Sequence, residues 1–143
     1  MQKIILPIEI IELEEGNYHI MVSSQFSDKS FGKWVIDTGA SKSVFDSSLE
    51  KYYEVVELDS GNEIHSAGIG IDSFETRTGE IRKLKFGDYK IKKLRVALIN
   101  LSHINALYDK YASEKICGLI GSDFLFKYKA VINYSTSELI LTI

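Results

Sequence analysis

Several things are scarce in this sequence, and each scarcity removes a class of protein. It has one cysteine, Cys117. No disulfide can form within the chain, and a cysteine-built metal site is excluded in practice. A lone thiol of this kind reads as a small buried hydrophobe. The single proline, Pro7, cannot donate a ladder hydrogen bond, so it belongs at a sheet edge or a strand break. Basic residues are not in excess: 17 Lys and Arg stand against 20 Asp and Glu, a net charge of −3. Nucleic acid and an anionic membrane surface are therefore not expected as partners. No run of about 18 apolar residues occurs, so no transmembrane helix is expected. The segment Met1 to Gly16 is apolar but carries Glu9, Glu12, Glu14 and Glu15 and lacks a small-residue cleavage site. It reads as a strand and not as a signal peptide. With Met1 as the native start, the expected compartment is the cytoplasm.

What is present is ordinary globular composition. The chain has 143 residues, 45% of them apolar and 26% charged. That suits one domain over residues 1–143 with a core needing no metal or disulfide. β-Branched and aromatic residues fall in short runs, which favours strands. Ile4 to Leu13, the Glu14–Asn17 turn and the alternation Tyr18, Ile20, Val22 read as a hairpin. Trp34-Val35-Ile36 reads as a buried strand and Val44-Phe45 as another, with Asp46 or Ser47 capping a short helix through Tyr52. Val55 to Leu58 is a further strand, and Glu63 to Gly79 reads as an exposed loop or mobile hairpin. Gly87-Asp88 joins two strands, one through Leu84 and Phe86, the other through Tyr89 and Ile91. Leu94, Val96 and Leu98 alternate as a strand. Ile104, Leu107, Tyr108 and Tyr111 have helical spacing, with Ser102 as cap, and read as helix core. Ser122-Asp123 would cap a helix through Lys127, and Ala130–Tyr134 with Leu139–Ile143 would close the chain as a hairpin. The expected fold is all-β in the main, a closed or folded-over barrel with one to three short helices.

Asp37 is the residue that asks for an explanation. An acid directly after Trp-Val-Ile sits at the end of a buried strand, where a carboxylate must be hydrogen-bonded, paired or functional. Thr38 supplies a hydroxyl, Gly39 permits close backbone approach or a positive φ, and Ala40 and Ser41 keep the loop small. Alone, such a tripeptide reads as an Asx-turn after a strand. The three histidines, His19, His65 and His103, lack metal-ligand spacing. Gly68-x-Gly70-x-x-Ser73 lacks the third glycine of a dinucleotide loop, and there is no P-loop.

In its surroundings the motif says more. Val35-Ile36-Asp37-Thr38-Gly39-Ala40-Ser41 resembles the active-site loop of single-domain, retropepsin-like aspartic proteases. Gly118 to Leu125 resembles the family's apolar-apolar-glycine segment and short helix, with Leu119, Ile120 and Gly121 beside the catalytic loop. Ala130–Tyr134 and Leu139–Leu141 resemble its closing hairpin. The resemblance covers residues 18–143 in the right order. It implies a homodimeric aspartic endopeptidase in which Asp37 of each subunit joins a dyad that activates water against a peptide bond, with no cofactor and no metal. Thr38 would brace the two loops, and Gly39 would accept substrate backbone. Ala67, Gly68, Ile69 and Gly70 would form the tip of a substrate-covering flap.

Two positions refine the resemblance. Pepsin-like relatives have Ser or Thr at the position of Ala40, whereas retroviral-type ones have Ala, as here. Without that donor the ionised aspartate loses a stabiliser, so a less acidic working range is expected, and Ala40→Ser should move the acidic limb of the pH–rate profile. Asn133 stands where many relatives carry Asp, and should bear on local hydrogen bonding. Lys3–Ile11 and Glu138–Ile143 are apolar enough to interleave between subunits, but pairing within the chain would serve them equally. The alternative reading is a catalytically silent module of the same fold that binds a peptide or protein.

Overall fold

The computed structural model describes residues 1–56 and 77–143. The expected flap tip, Ala67 to Gly70, lies outside the described residues. Strands β1 (Lys3–Pro7) and β2 (Glu9–Glu14) are followed by β3 (Asn17–Gln25), β4 (Phe31–Ile36), β5 (Val44–Asp46) and β6 (Glu54–Val56). A 3₁₀ turn, Glu50–Tyr52, precedes β6. Then come β7 (Arg77–Phe86), β8 (Tyr89–Ile99), helix α1 (Ser102–Ala112), β9 (Gly118–Ile120), helix α2 (Ser122–Lys127), β10 (Val131–Asn133) and β11 (Glu138–Thr142). The larger sheet runs β2-β3-β4-β9-β5-β8-β7-β6, and an added β3–β7 pairing at Gln25↔Lys85 closes six of these strands into a barrel. The mainly β expectation holds, with two α-helices among the described residues.

Apolar runs form where a strand is buried on both faces. On β4, Trp34 and Ile36 point into the barrel core with Ile20, Val22, Phe45, Leu84 and Phe86. Val35, between them, points the other way, into a second cluster with Met21, Val44, Leu101, Tyr108 and Ile116. That cluster lies under α1, which explains why Trp-Val-Ile and Ile-Met-Val are continuous where a one-sided strand would alternate. Trp34 is fully buried, and its indole N–H donates to Ser24 Oγ at 2.7 Å. Trp34 thereby avoids an orphaned donor.

The chain ends take the intramolecular option. β1 pairs antiparallel with β11, which pairs with β10, giving a three-stranded sheet from one chain. Pro7 closes β1, the edge strand, as its missing donor requires.

Several local expectations need correction. Arg77 to Gly79 belong to β7 and not to a loop. Ser102 does not cap α1, whose N-cap is Leu101; its N–H donates to Asn100 Oδ1 at 2.9 Å. Asp46 binds Ser48 in a turn and does not cap the 3₁₀ segment, whose N-cap is Leu49. Of the α1 stripe only Tyr108 is buried; Leu107 and Tyr111 are exposed. Cys117 is buried, and burial pushes its thiol far above the usual range, an inert structural role.

Candidate active site

Parallel pairing builds the site. β4 and β9 run side by side with Trp34↔Gly118, Val35↔Leu119 and Ile36↔Ile120 in register. Their carboxyl ends therefore emerge together, bringing Asp37 next to Gly121 from more than 80 residues away in sequence. The Asp37 N–H donates to the Ile120 carbonyl at 2.8 Å, extending the ladder by one residue. The chain then turns at once. Asp37 O accepts the Ala40 N–H at 3.1 Å, and Asp37 Oδ1 accepts the Gly39 N–H at 3.1 Å. This is an Asx-turn inside a β-turn, which fixes the carboxylate by the backbone of its own loop. Asp37 and Ala40 are half-buried, and Thr38, Gly39 and Ser41 are exposed.

Gly39 departs from one expectation. Its φ is not in the left-handed region, and an added Cβ would meet only Asp37 Oδ1 at 3.5 Å. Conformational strain thus does not demand glycine here, and close approach by another molecule is the remaining reason for it. Gly121 is different. An added Cβ would stand 2.7 Å from Ala40 O and 2.8 Å from Lys42 O, both backbone atoms. The two loops meet there too tightly for any side chain.

Beneath the loop lies a network that sequence reasoning missed. Ser43 is fully buried. Its Oγ donates to Asp123 Oδ1 at 2.8 Å and accepts the Gly121 N–H at 3.0 Å, while its own N–H donates to Asp123 Oδ2 at 3.0 Å. Ser43 O accepts from Ala97, and Ser122 N–H donates to Ala40 O at 2.7 Å. Asp123 also takes its Phe124 N–H, but its main work is to join α2 to the active-site loop. The one local hint was a serine immediately before the apolar pair Val44-Phe45. Asn133 does organise its own turn, accepting from Ser135 and Thr136.

A second pair borders the site. Tyr108 Oη and His19 Nδ1 are 2.9 Å apart, with the rings edge-on. Burial raises the Tyr108 hydroxyl above the usual tyrosine range, and the charge of Asp37 adds to the rise. The sequence pattern marks Tyr108 as helix core and says of His19 only that it lacks metal-ligand spacing. No spacing in the sequence joins two residues so far apart.

A β-barrel that presents Asp-Thr-Gly at the end of one parallel strand, braced by a glycine from its neighbour, defines the acid-protease class. The aspartyl protease family model matches residues 22–124, and the chain belongs to that family. The resemblance to single-domain, retropepsin-like members stands with it. Two solved structures are similar to it. One is a retropepsin-like aspartic protease from Rickettsia conorii, 14% identical over 98% of this chain and 90% of that one, with a TM-score of 0.49. The other is the retroviral protease-like domain of Ddi1 from Leishmania major, 14% identical over 85% of this chain and 84% of that one, with a TM-score of 0.48. Among curated proteins none matches significantly.

Proposed function

We propose that the protein is an aspartic endopeptidase, a peptide hydrolase that acts as a homodimer through one Asp37 from each subunit. The observation that carries this reading is the presentation of Asp37 on a turn that binds its own carboxylate, with Thr38 exposed beside it. Each chain has one such acid, so a dyad needs two chains. Two carboxylates a few ångströms apart share one proton and titrate as a pair. The ionised member takes a proton from water, the protonated member polarises the peptide carbonyl, and the roles exchange as the amine leaves.

With the chain ends paired internally, the second subunit would meet the Thr38 face. A groove of about 420 Å³ lies there, lined by Thr38, Leu125, Phe126, Ala130 and Ile132 among others. Phe126 is 87% exposed, a large apolar side chain in want of cover. The second reading is a catalytically silent module of the same fold that binds a peptide or protein; the internal pairing of β1 with β11, which leaves the chain ends unavailable to a dimer sheet, is compatible with it.

Cleavage of a peptide library by wild type and Asp37→Asn, from mildly acidic to neutral pH, separates the two. Loss of at least about a thousandfold in the variant, with thermal stability retained, is the expected result. A monomeric mass at concentrations where wild type cleaves would sink the dimer, and cleavage untouched by Asp37→Asn would sink the mechanism.

A further inference from the structure

The second apolar cluster is not wholly buried, and strand register places it on the same face of the sheet as Asp37. Met21↔Val35 and Val35↔Leu119 are register partners, and Val44 pairs with Leu119 from the other side. These side chains share one face of the sheet, and α1 covers them with Leu101, Ile104 and Tyr108. By strand alternation Asp37, two residues beyond Val35, falls on that same side. Two residues back from Met21, His19 does too, opposite Ile11 of β2. The charge of Asp37, which adds to the rise that burial gives the Tyr108 hydroxyl, agrees with this placement. Val35 and Tyr108 are buried, but Leu119 and Ile104 remain half-exposed. The cluster is therefore sealed at its base, while two of its members keep surface open to solvent on the sheet face that carries Asp37.

We propose that α1 is a wall of the substrate cleft, that Ile104 is a specificity-determining residue for the substrate side chain next to the cleaved bond, and that Tyr108, bonded to His19, is the positioning residue that holds the wall. This deepens the proposed function and rests on it. The wall selects a side chain that is apolar, because Ile104, Leu119 and the Tyr108 ring offer apolar surface, and bounded in size by Ile104. The Tyr108–His19 bond is the polar tie between α1 and β3. Without it the helix keeps its apolar packing, and the wall loses its fixed distance from Asp37.

The test uses peptides that differ only in one residue adjoining the cleaved bond, alanine, leucine or phenylalanine, against wild type, Ile104→Ala, Ile104→Phe and Tyr108→Phe. The ratio of kcat/KM for phenylalanine over leucine is expected to rise about tenfold in Ile104→Ala and to fall about tenfold in Ile104→Phe. Tyr108→Phe should raise KM about three- to tenfold with kcat nearly kept. Ratios equal to the wild-type value in both Ile104 variants overturn the assignment, because general structural damage lowers all three peptides together. Binding of the same peptides to Asp37→Asn, read by fluorescence anisotropy, keeps the two levels apart. A preference that shifts when Ile104→Phe is added to Asp37→Asn supports the wall even where wild type cleaves nothing. Peptide binding indifferent to Ile104 overturns the wall even where Asp37-dependent cleavage is established.

Discussion

The loop that carries Asp37 and the residues beneath it are built by opposite rules. From Asp37 to Ser41 every residue is half-buried or exposed, and the carboxylate is held by the loop's own backbone. Two positions further on, Ser43 is fully buried, and its N–H, hydroxyl and carbonyl are all engaged with other elements. The difference shows where precision comes from. An acid that must meet water and substrate cannot be packed in place, so it is aimed by a short turn standing on a buried polar network. Substitutions in the lower region should damage the fold, and those in the upper region should damage activity alone.

The sharpest break of that contrast is Gly121→Ala. The new methyl would collide with backbone carbonyls of Ala40 and Lys42, which cannot swing aside as a side chain does. A loss of about 3 kcal/mol or more is expected, measured by chemical denaturation, together with loss of any Asp37-dependent cleavage. A variant as stable as wild type would mean that the two loops are not held at this distance.

Next comes the network itself. Asp123→Ala removes the acceptor of both Ser43 bonds and should cost about 2 kcal/mol. Ser43→Ala should cost a similar amount, since Gly121 N–H then loses its acceptor in a buried place. The double variant should cost clearly less than the sum of the two, because each single change already breaks the shared bond. Strict additivity would show that the serine and the aspartate act separately.

Gly39→Ala probes the upper region. The backbone there accepts a side chain, so stability should stay within about 0.5 kcal/mol. Activity should nevertheless fall about tenfold or more, if the bare backbone is what lets substrate approach. Equal activity would leave Gly39 with neither a conformational nor a contact role.

Much of this was legible before any coordinates. The run Trp34-Val35-Ile36 ending in Asp-Thr-Gly marks the site, because burial on both faces forces an uninterrupted apolar strand and the turn residues must follow it. The hairpins were legible through Gly16 and Gly87, which do adopt positive φ. What local pattern could not carry was pairing over long separations. Nothing near Ser43 announces Asp123, and nothing near His19 announces Tyr108. The periodicity of α1 was read correctly as a helix, but the sheet beneath it covers only part of its apolar stripe, so Leu107 and Tyr111 stay exposed. Caps failed in the same way. Ser102 and Asp46 have the right chemistry for capping, but Ser102 already lies inside α1, one residue past its N-cap Leu101, and Asp46 turns onto Ser48 instead.

The smallest expected effect belongs to an ion pair that resembles the Ser43 network in reach but not in burial. Lys33, four residues before Asp37 on β4, bonds Glu114 at 2.8 Å and Glu9 at 3.1 Å, tying the segment after α1 and strand β2 to the same strand. The bond to Glu114 is the main reason its proton is held more tightly than the ordinary lysine value of 10.5. The group is half-buried but still in contact with solvent, so screening and side-chain entropy discount the gain, and Lys33→Met should cost about 1 kcal/mol or less. The sign with pH follows from the direction of the shift. A proton bound more tightly in the folded state stabilises it fully below the unfolded lysine value, and that contribution fades as pH rises through the higher folded value. Denaturation of wild type and Lys33→Met should therefore differ slightly at neutral pH and converge in strongly alkaline solution. A difference of 2 kcal/mol or more at neutral pH would place this half-buried pair on a level with the buried network and erase the distinction between loop and foundation.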